Sequence, residues 1–487
     1  MIILKDILYK VAIEVVKGST EMTIAKIEFD SRKVTENDMF VAIRGSITDG
    51  HAFIEKAINL GAVAIVCDTL PEVIITGITY IQVKDTNEAL AFLSSNFYGN
   101  PSQNLKLVGV TGTNGKTTIA SLLYQLFKKA GYKVGLLSTV KIMVDEIEYK
   151  ATHTTPDSLT INYYLAEMNT VGVEYCFMEV SSHGIHQKRT DGLQFAGGVF
   201  TNLSHDHLDY HPTFAEYRDV KKSFFDHLPK SAFALTNIDD KNGPVMVQNT
   251  YARKVTYALK SYADYKAQIL ENQLSGLLLK INENEVWVRL IGTFNAYNLL
   301  AIFGTAVELG LDKLEVLRLL SELESVSGRF QFIVSNDKIT AIVDYAHTPD
   351  ALENVLNTIN DIRTNNEQLI TVVGCGGDRD KTKRPIMAHI ASSMSNKVIL
   401  TSDNPRSENP EDIISDMEKG VEAQNQKKTL SILDRKQAIK AACQLAGAND
   451  IILIAGKGHE TYQEIDGIRY EFDDMKIVKE LLEELNK

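Results

Sequence analysis

A strand-like apolar run, Leu107-Val108-Gly109-Val110, leads into Thr111-Gly112-Thr113-Asn114-Gly115-Lys116-Thr117-Thr118 and then a helical stretch from Ile119 to Lys129. Strand, glycine-rich turn and helix start are the parts of a phosphate-binding loop. Glycine lets backbone N–H groups approach phosphate oxygens, and the helix N-terminus adds a favourable dipole. Lys116 has the reach for the β- and γ-phosphates of a nucleoside triphosphate, and Thr117 offers a hydroxyl to Mg²⁺. The loop departs from the general G-x-x-x-x-G-K-[ST] form, because Val110 stands where that form has its first glycine.

Further on, Tyr175-Cys176-Phe177-Met178 ends in Glu179, which puts a carboxylate at the C-terminal end of an apolar run. Open α/β sheets place their ligand crevice there, and Mg²⁺ beside phosphates favours carboxylate oxygen. A second such run, Gly198-Val199-Phe200, is followed by Thr201-Asn202-Leu203-Ser204-His205-Asp206-His207-Leu208-Asp209-Tyr210-His211. Histidines and aspartates this dense could ligate zinc. Next to a phosphate loop, the simpler account is that they position Mg²⁺ and an anionic substrate. Lys221, ten residues beyond His211, reads by itself as a solvated helix lysine.

These groups need elements to hold them. Strand-length apolar runs alternate with helical patterns almost throughout, as at Ala62-Val66, Ile370-Val373 and Ile451-Ile454, which reads as α/β with mostly parallel sheets. At 487 residues the chain exceeds what one core fills. Turn-rich segments at Tyr98-Asn104 and Ser325-Arg329 mark boundaries. Three domains are expected: 1–104, 105–328 with the phosphate loop, and 329–487 with a Rossmann-like sheet. In the third, the cluster at Gly374-Cys375-Gly376-Gly377 lacks the G-x-G-x-x-G spacing of dinucleotide binders.

A net charge of −12 argues against a surface built for nucleic acid. Four scattered cysteines form no C-x-x-C pair, which fits a reducing compartment. No 18-residue apolar run and no basic segment before an apolar core is present, so a cytoplasmic protein without membrane insertion is expected.

The motifs G-T-N-G-K-T-T at 112–118, T-N-L-x-x-D-H-L-D at 201–209 and D-N-P-R at 403–406 resemble those of the Mur ligases, and among them the MurE type. The resemblance spans essentially the whole chain. It implies ATP held by Gly112, Thr113, Asn114, Gly115, Lys116, Thr117, Thr118, Asn202, Asn295, Arg329 and Asp344. It implies Mg²⁺ at Thr117, Glu179, His205 and a carbamylated Lys221, the spacing pointing to Lys221 rather than Lys222. Lys116, Glu179, His205 and Lys221 would be the catalytic set. UDP and the muramoyl dipeptide would meet Phe29, Ser31, Ser46, Ile47, Thr48, Thr154, Thr155, Ser181, Gln187 and Arg189. A diamino acid would meet Arg384, Asp403, Asn404, Pro405, Arg406, Gly456 and Glu460. Here the physics agrees: a guanidinium at Arg406 can grip the distal carboxylate of meso-diaminopimelate, which lysine lacks, and Glu460 suits a distal ammonium.

The family chemistry is ATP-dependent amide formation on UDP-N-acetylmuramoyl-L-alanyl-D-glutamate through an acyl phosphate, for peptidoglycan synthesis, by a monomer. Two rivals stay open at this stage. One is the same reaction with L-lysine; the other is a phosphotransferase or NTPase, because a phosphate loop alone specifies only nucleotide handling. A nucleotide-gated binding protein ranks third, since a pure binder has no use for a full metal set.

Overall fold

A computed structural model describes residues 2–45, 48–204, 210–364 and 366–487. Its strands gather into three large sheets in chain order. Among the described residues, the first has five strands, ordered Ile13–Lys17, Thr79–Val83, Ala62–Cys67, Asp38–Val41 and Ile27–Glu28. All neighbours but the first pair run parallel.

The second sheet is built around Lys106–Thr111, which lies between Tyr175–Glu179 and Phe195–Phe200 and is parallel to both. From Lys106–Thr111 the chain goes first to Val134–Leu137, beyond Tyr175–Glu179, and later crosses to the opposite side. The central strand is therefore the point where strand order reverses, and a crevice opens above its C-terminal end. Strand residues alternate between two cores. Val108, Val110 and Phe177 pack with Ile119, Leu123 and Leu299 on one face; Leu107, Cys176 and Met178 pack with Ile161, Leu165 and Phe225 on the other. Burial on both faces is why these strands read as unbroken apolar runs.

The edges of this sheet behave differently. Lys141–Val144 and Ile147–Lys150 pair antiparallel around a two-residue turn with Asp145 at φ 52°. Gly276–Ile281 and Asn284–Val288 do the same with Asn282 at φ 51°. Two-residue hairpins demand such positive φ, and Asp and Asn tolerate it best after glycine. The expectation of mostly parallel strands holds for the sheet's centre and gives way to hairpins at its rims.

The third sheet runs Gln331–Val334, Thr340–Asp344, Ile451–Ala455, Leu369–Cys375, Lys397–Ser402 and Thr429–Ser431, parallel after the first pairing. Its parallel strands end on one side. The loops that follow them carry Tyr345, Gly376-Gly377, Asp403–Arg406 and Gly456–Glu460. Beneath that rim the helix Arg435–Leu445 is tied to Asp474–Glu484 by a buried bidentate pair. Arg435 donates from Nε and Nη2 to the Asp474 carboxylate at 2.8 and 2.7 Å, and from Nη2 to the Ala455 carbonyl at 3.1 Å.

Neither partner of that pair has exposed side-chain surface. Asp474→Ala would strand the guanidinium in the core, and such truncations cost about 3–5 kcal/mol. Urea unfolding followed by circular dichroism should show this chain losing its C-terminal transition at markedly lower denaturant. A midpoint within experimental error of wild type would refute the assignment.

Candidate functional site

The loop after the central strand is shaped by two glycines that no other residue could replace in place. Gly112 has φ 148°, and a Cβ there would lie 1.9 Å from Thr201 Oγ1; Gly115 has φ 89°, and its Cβ would lie 2.6 Å from Asn298 Oδ1. The loop is cradled from the neighbouring strand end: Asn114 N–H donates to Asn202 Oδ1 at 3.0 Å, and Thr201 Oγ1 to the Asn114 carbonyl at 2.6 Å. The helix Lys116–Lys129 starts at Gly115 with no side-chain cap, whereas Asp157, Thr213 and Asp312 cap their helices. Its first N–H groups and its dipole are left for an anion. Lys116 curls over the loop, donating to the carbonyls of Gly112 and Thr113 at 2.8 and 2.7 Å.

Thr117 Oγ1 donates to Glu179 Oε2 at 2.9 Å. Glu179 is wholly buried, and Thr139 donates to it from both its N–H (2.7 Å) and its hydroxyl (3.1 Å). Lys221 comes to the same place from the helix Phe214–Asp226. Its buried ammonium donates to the Gly112 carbonyl at 3.0 Å and sits 4.7 Å from the centre of the Tyr217 ring. Lys222 instead pairs with Asp226 on the outside of the helix. Of the two, Lys221 is the one that turns toward the loop. His205 and the residues to 209 lie outside the described residues; His211 is described, buried 5.4 Å from the Tyr217 ring.

Beside Glu179 is a connected polar patch. Thr155 Oγ1 donates to the Glu179 carbonyl at 2.9 Å and contacts Ser181 Oγ at 3.0 Å, and Thr154 Oγ1 lies 3.1 Å from Thr139 Oγ1. Arg189 donates to the Thr155 carbonyl at 2.6 Å and holds Gln187 Oε1 with two N–H groups. In the first sheet's region Ser31 is buried and Phe29 half-buried, while the Thr48 carbonyl accepts from Gly45 N–H at 3.0 Å. Ser46 and Ile47 lie outside the described residues.

The third sheet leans over the loop. Arg329 stacks 4.6 Å from the Tyr345 ring and donates from Nη2 to Thr117 Oγ1 at 3.1 Å; its buried Nε has no partner among the described residues. Asp350, in the first turn of the helix Pro349–Ile362, accepts from Asn114 Nδ2 and Ser204 Oγ, both at 2.8 Å. Asp344 accepts from Phe330 N–H at 2.6 Å, and burial pushes its carboxyl up to about 6 against the pull of Arg329. Burial also pushes His459 down to about 3, so its ring is neutral at pH 7. Asn295 donates to the Ile291 carbonyl and accepts from Asn298, one helical turn along the wall facing Gly115.

In the third sheet's crevice, Asn404 Nδ2 donates to Glu460 Oε2 at 2.7 Å. Gly456, at φ 119°, admits Asp403, whose Oδ2 would lie 2.5 Å from a Cβ there. Arg406 takes φ 53° and donates to the Gly377 carbonyl at 2.6 Å, and the Pro405 carbonyl packs against Gly377. Arg384 is buried, with its guanidinium bonded to Glu408 at 2.8 Å and Asp416 at 3.0 Å and its Nε left without a partner among the described residues.

Three family models match in succession: the catalytic domain of the Mur ligase family over residues 23–98, the Mur ligase middle domain over 110–306 and the glutamate ligase domain over 328–458. The chain is also 57% identical over 485 residues to UDP-N-acetylmuramoyl-L-alanyl-D-glutamate–2,6-diaminopimelate ligase of Cytophaga hutchinsonii, covering 99% of this chain and all of that one. The chain belongs to the Mur ligase family. The ligase of the same description from Bacteroides thetaiotaomicron is 55% identical, with 96% of this chain and 97% of that one covered. A solved structure of a ligase so described aligns over 100% of this chain and 99% of that one, at TM-score 0.71 and 32% identity.

In this Mur ligase the phosphate loop, Glu179, Lys221, Arg329 and the Thr155–Ser181 patch converge from separate stretches of chain. The sequence assigns no role to Thr139 or Lys457; Asp350 stands beside Pro349 at a helix start, and Lys457 lies between Gly456 and Glu460, which the resemblance does name. Gly115→Ala should weaken binding of a non-hydrolysable ATP analogue in calorimetry by at least about tenfold, roughly 1.4 kcal/mol. An unchanged affinity would show that this loop is not the phosphate cradle.

Proposed function

We propose that this Mur ligase joins meso-diaminopimelate to the γ-carboxylate of the D-glutamyl residue of UDP-N-acetylmuramoyl-L-alanyl-D-glutamate, using ATP. The observation that carries the reading is the full-length 57% identity to a ligase of that description. A carboxylate cannot be displaced by an amine directly, because oxide would have to leave. Transfer of the γ-phosphoryl group of ATP to the carboxylate gives an acyl phosphate, whose carbonyl the amine attacks to release phosphate. Positioning and charge neutralisation carry most of such a rate.

The chain's groups divide this work. Lys116 leaves its carbonyl partners for phosphate oxygens and neutralises the transferring group. Arg329, with an unpaired N–H beside Thr117, adds a second cation from the C-terminal side. Thr117 and Glu179, hydroxyl and carboxylate oxygens 2.9 Å apart, are the hard donors that Mg²⁺ takes, and His205 would join them. The metal supplies positive charge to the phosphates. Lys221 fits a metal site as a carbamate and not as an ammonium. Thr155, Ser181, Gln187 and Arg189 hold the dipeptide; Phe29, Ser31 and the 46–48 loop hold the uridine nucleotide; Asn404, Arg406 and Glu460 hold the diamino acid. Residues 1–104 then serve the uridine nucleotide, 105–328 ATP and the dipeptide, and 329–487 the diamino acid, with Arg329 reaching back to the ATP site. No described helix is long and apolar enough to cross a membrane. A cytoplasmic monomer completes the reading.

Phosphate release by the purified protein with ATP and the UDP-muramoyl dipeptide should require meso-diaminopimelate, with the tripeptide mass appearing in step. Release with L-lysine instead would overturn the argument from Arg406, and ATP hydrolysis without amide would favour an NTPase. For Lys221, intact mass under native conditions should exceed the sequence mass by one carbon dioxide, lost in acid, and Lys221→Met should be inactive. A fully active wild-type chain without that increment would reject the carbamate.

A further inference from the structure

The loop after Ile451–Ala455 turns a lysine inward, and no part of the Lys457 side chain is exposed. Its ammonium donates to Asn404 Oδ1 at 3.0 Å and to Glu460 Oε2 at 3.3 Å, stands 4.0 Å from Asp403 Oδ1, and lies 5.5 Å from the Tyr462 ring. Taking an ammonium out of water is expensive, so a buried one constrains every group that compensates it.

Two consequences can be read from the bonds. Asn404 Oδ1 accepts from both Lys457 and the Glu464 N–H at 2.9 Å, so the amide cannot flip, and its Nδ2 must face Glu460. Glu460 Oε2 is thereby committed to two donors. Among the described residues Oε1 has only a 3.5 Å contact with the Tyr345 hydroxyl, which leaves it capacity for a further donor. The charges point the same way. The neighbouring buried cation, Arg435, is already matched to Asp474, so Lys457 faces both Asp403 and Glu460. One negative charge is in excess, the complement of one incoming ammonium. Burial and Asp403 both raise the Glu460 carboxyl, while Lys457 and Asn404 hold it down.

We propose that Lys457 is a positioning residue which, through Asn404 and directly, fixes the charge and aim of Glu460 and so makes this crevice selective for an amino acid with a second, distal ammonium. The inference rests on the diaminopimelate reading above. Lys457 itself touches no substrate, since it is enclosed on all sides by protein.

The test uses the full-length enzyme with meso-diaminopimelate and with 2-aminopimelate, the same chain without the distal amine. Wild type should prefer meso-diaminopimelate. Lys457→Met should raise its KM at least about tenfold with kcat changed by less than about threefold. It should also bring the ratio of kcat/KM for the two substrates down to that of Glu460→Gln, with KM for ATP held. Lys457→Arg should recover most of the ratio, and adding Glu460→Gln to Lys457→Met should cost little more, because both act on one contact. If Lys457→Met does not fold, Asn404→Leu, which cuts the relay while leaving the ammonium beside Glu460, should lower the ratio likewise. A wild-type ratio kept in the folded variants, or losses that multiply in the double variant, would overturn the inference alone. A wild type indifferent to the distal amine would overturn the diaminopimelate reading and the inference with it.

Discussion

The contact between Thr117 and Glu179 is the point from which the arrangement of the site follows. It joins the first turn of the phosphate-loop helix to the end of the neighbouring parallel strand, with a carboxylate that has no exposed surface. An anion in that position is costly unless each oxygen has donors. Here Thr139 and Thr117 supply them, Thr155 takes the backbone carbonyl, and Arg329 reaches Thr117 from beyond the middle sheet. Phosphate loop, the Thr155–Ser181 patch and the C-terminal segment all meet one buried carboxylate.

This constraint explains why the chemistry sits where strand order reverses. A parallel sheet buries both faces and offers open backbone only at strand ends. The two α/β sheets of the middle and C-terminal regions turn those ends toward one another, and Asp350 holds them by accepting from Asn114 and Ser204 together. Bonds donated to a carboxylate are charge-assisted and stronger than those between neutral groups. They also set register, since both donors flank the phosphate loop.

Much of this was legible in the chain. Unbroken apolar runs such as Ile451–Ala455 betray strands covered on both faces, and Glu179 was legible as a crevice residue because it ends such a run; Asp403 was legible only through its motif. The hairpins at Asp145 and Asn282 were harder to see, because a two-residue turn without glycine leaves little local signature. Thr139 and Lys457 were invisible for another reason. A threonine in a loop and a lysine between glycines look solvated until the chain brings distant carboxylates to them. Arg384 shows the same: its ion pairs with Glu408 and Asp416, 24 and 32 residues along the chain, leave no trace in its own sequence neighbourhood. What a side chain is spent on is decided through space, and single-sequence patterns do not record it.

One close approach has a wider meaning. Gly328, in the connection between the middle and C-terminal sheets, leaves no room even for a methyl: a Cβ there would lie 2.0 Å from His459 N, one residue before Glu460. The connection between the two sheets and the loop that carries Glu460 are therefore in direct backbone contact. Any side chain at Gly328 would have to push that loop, and Glu460 with it, out of place.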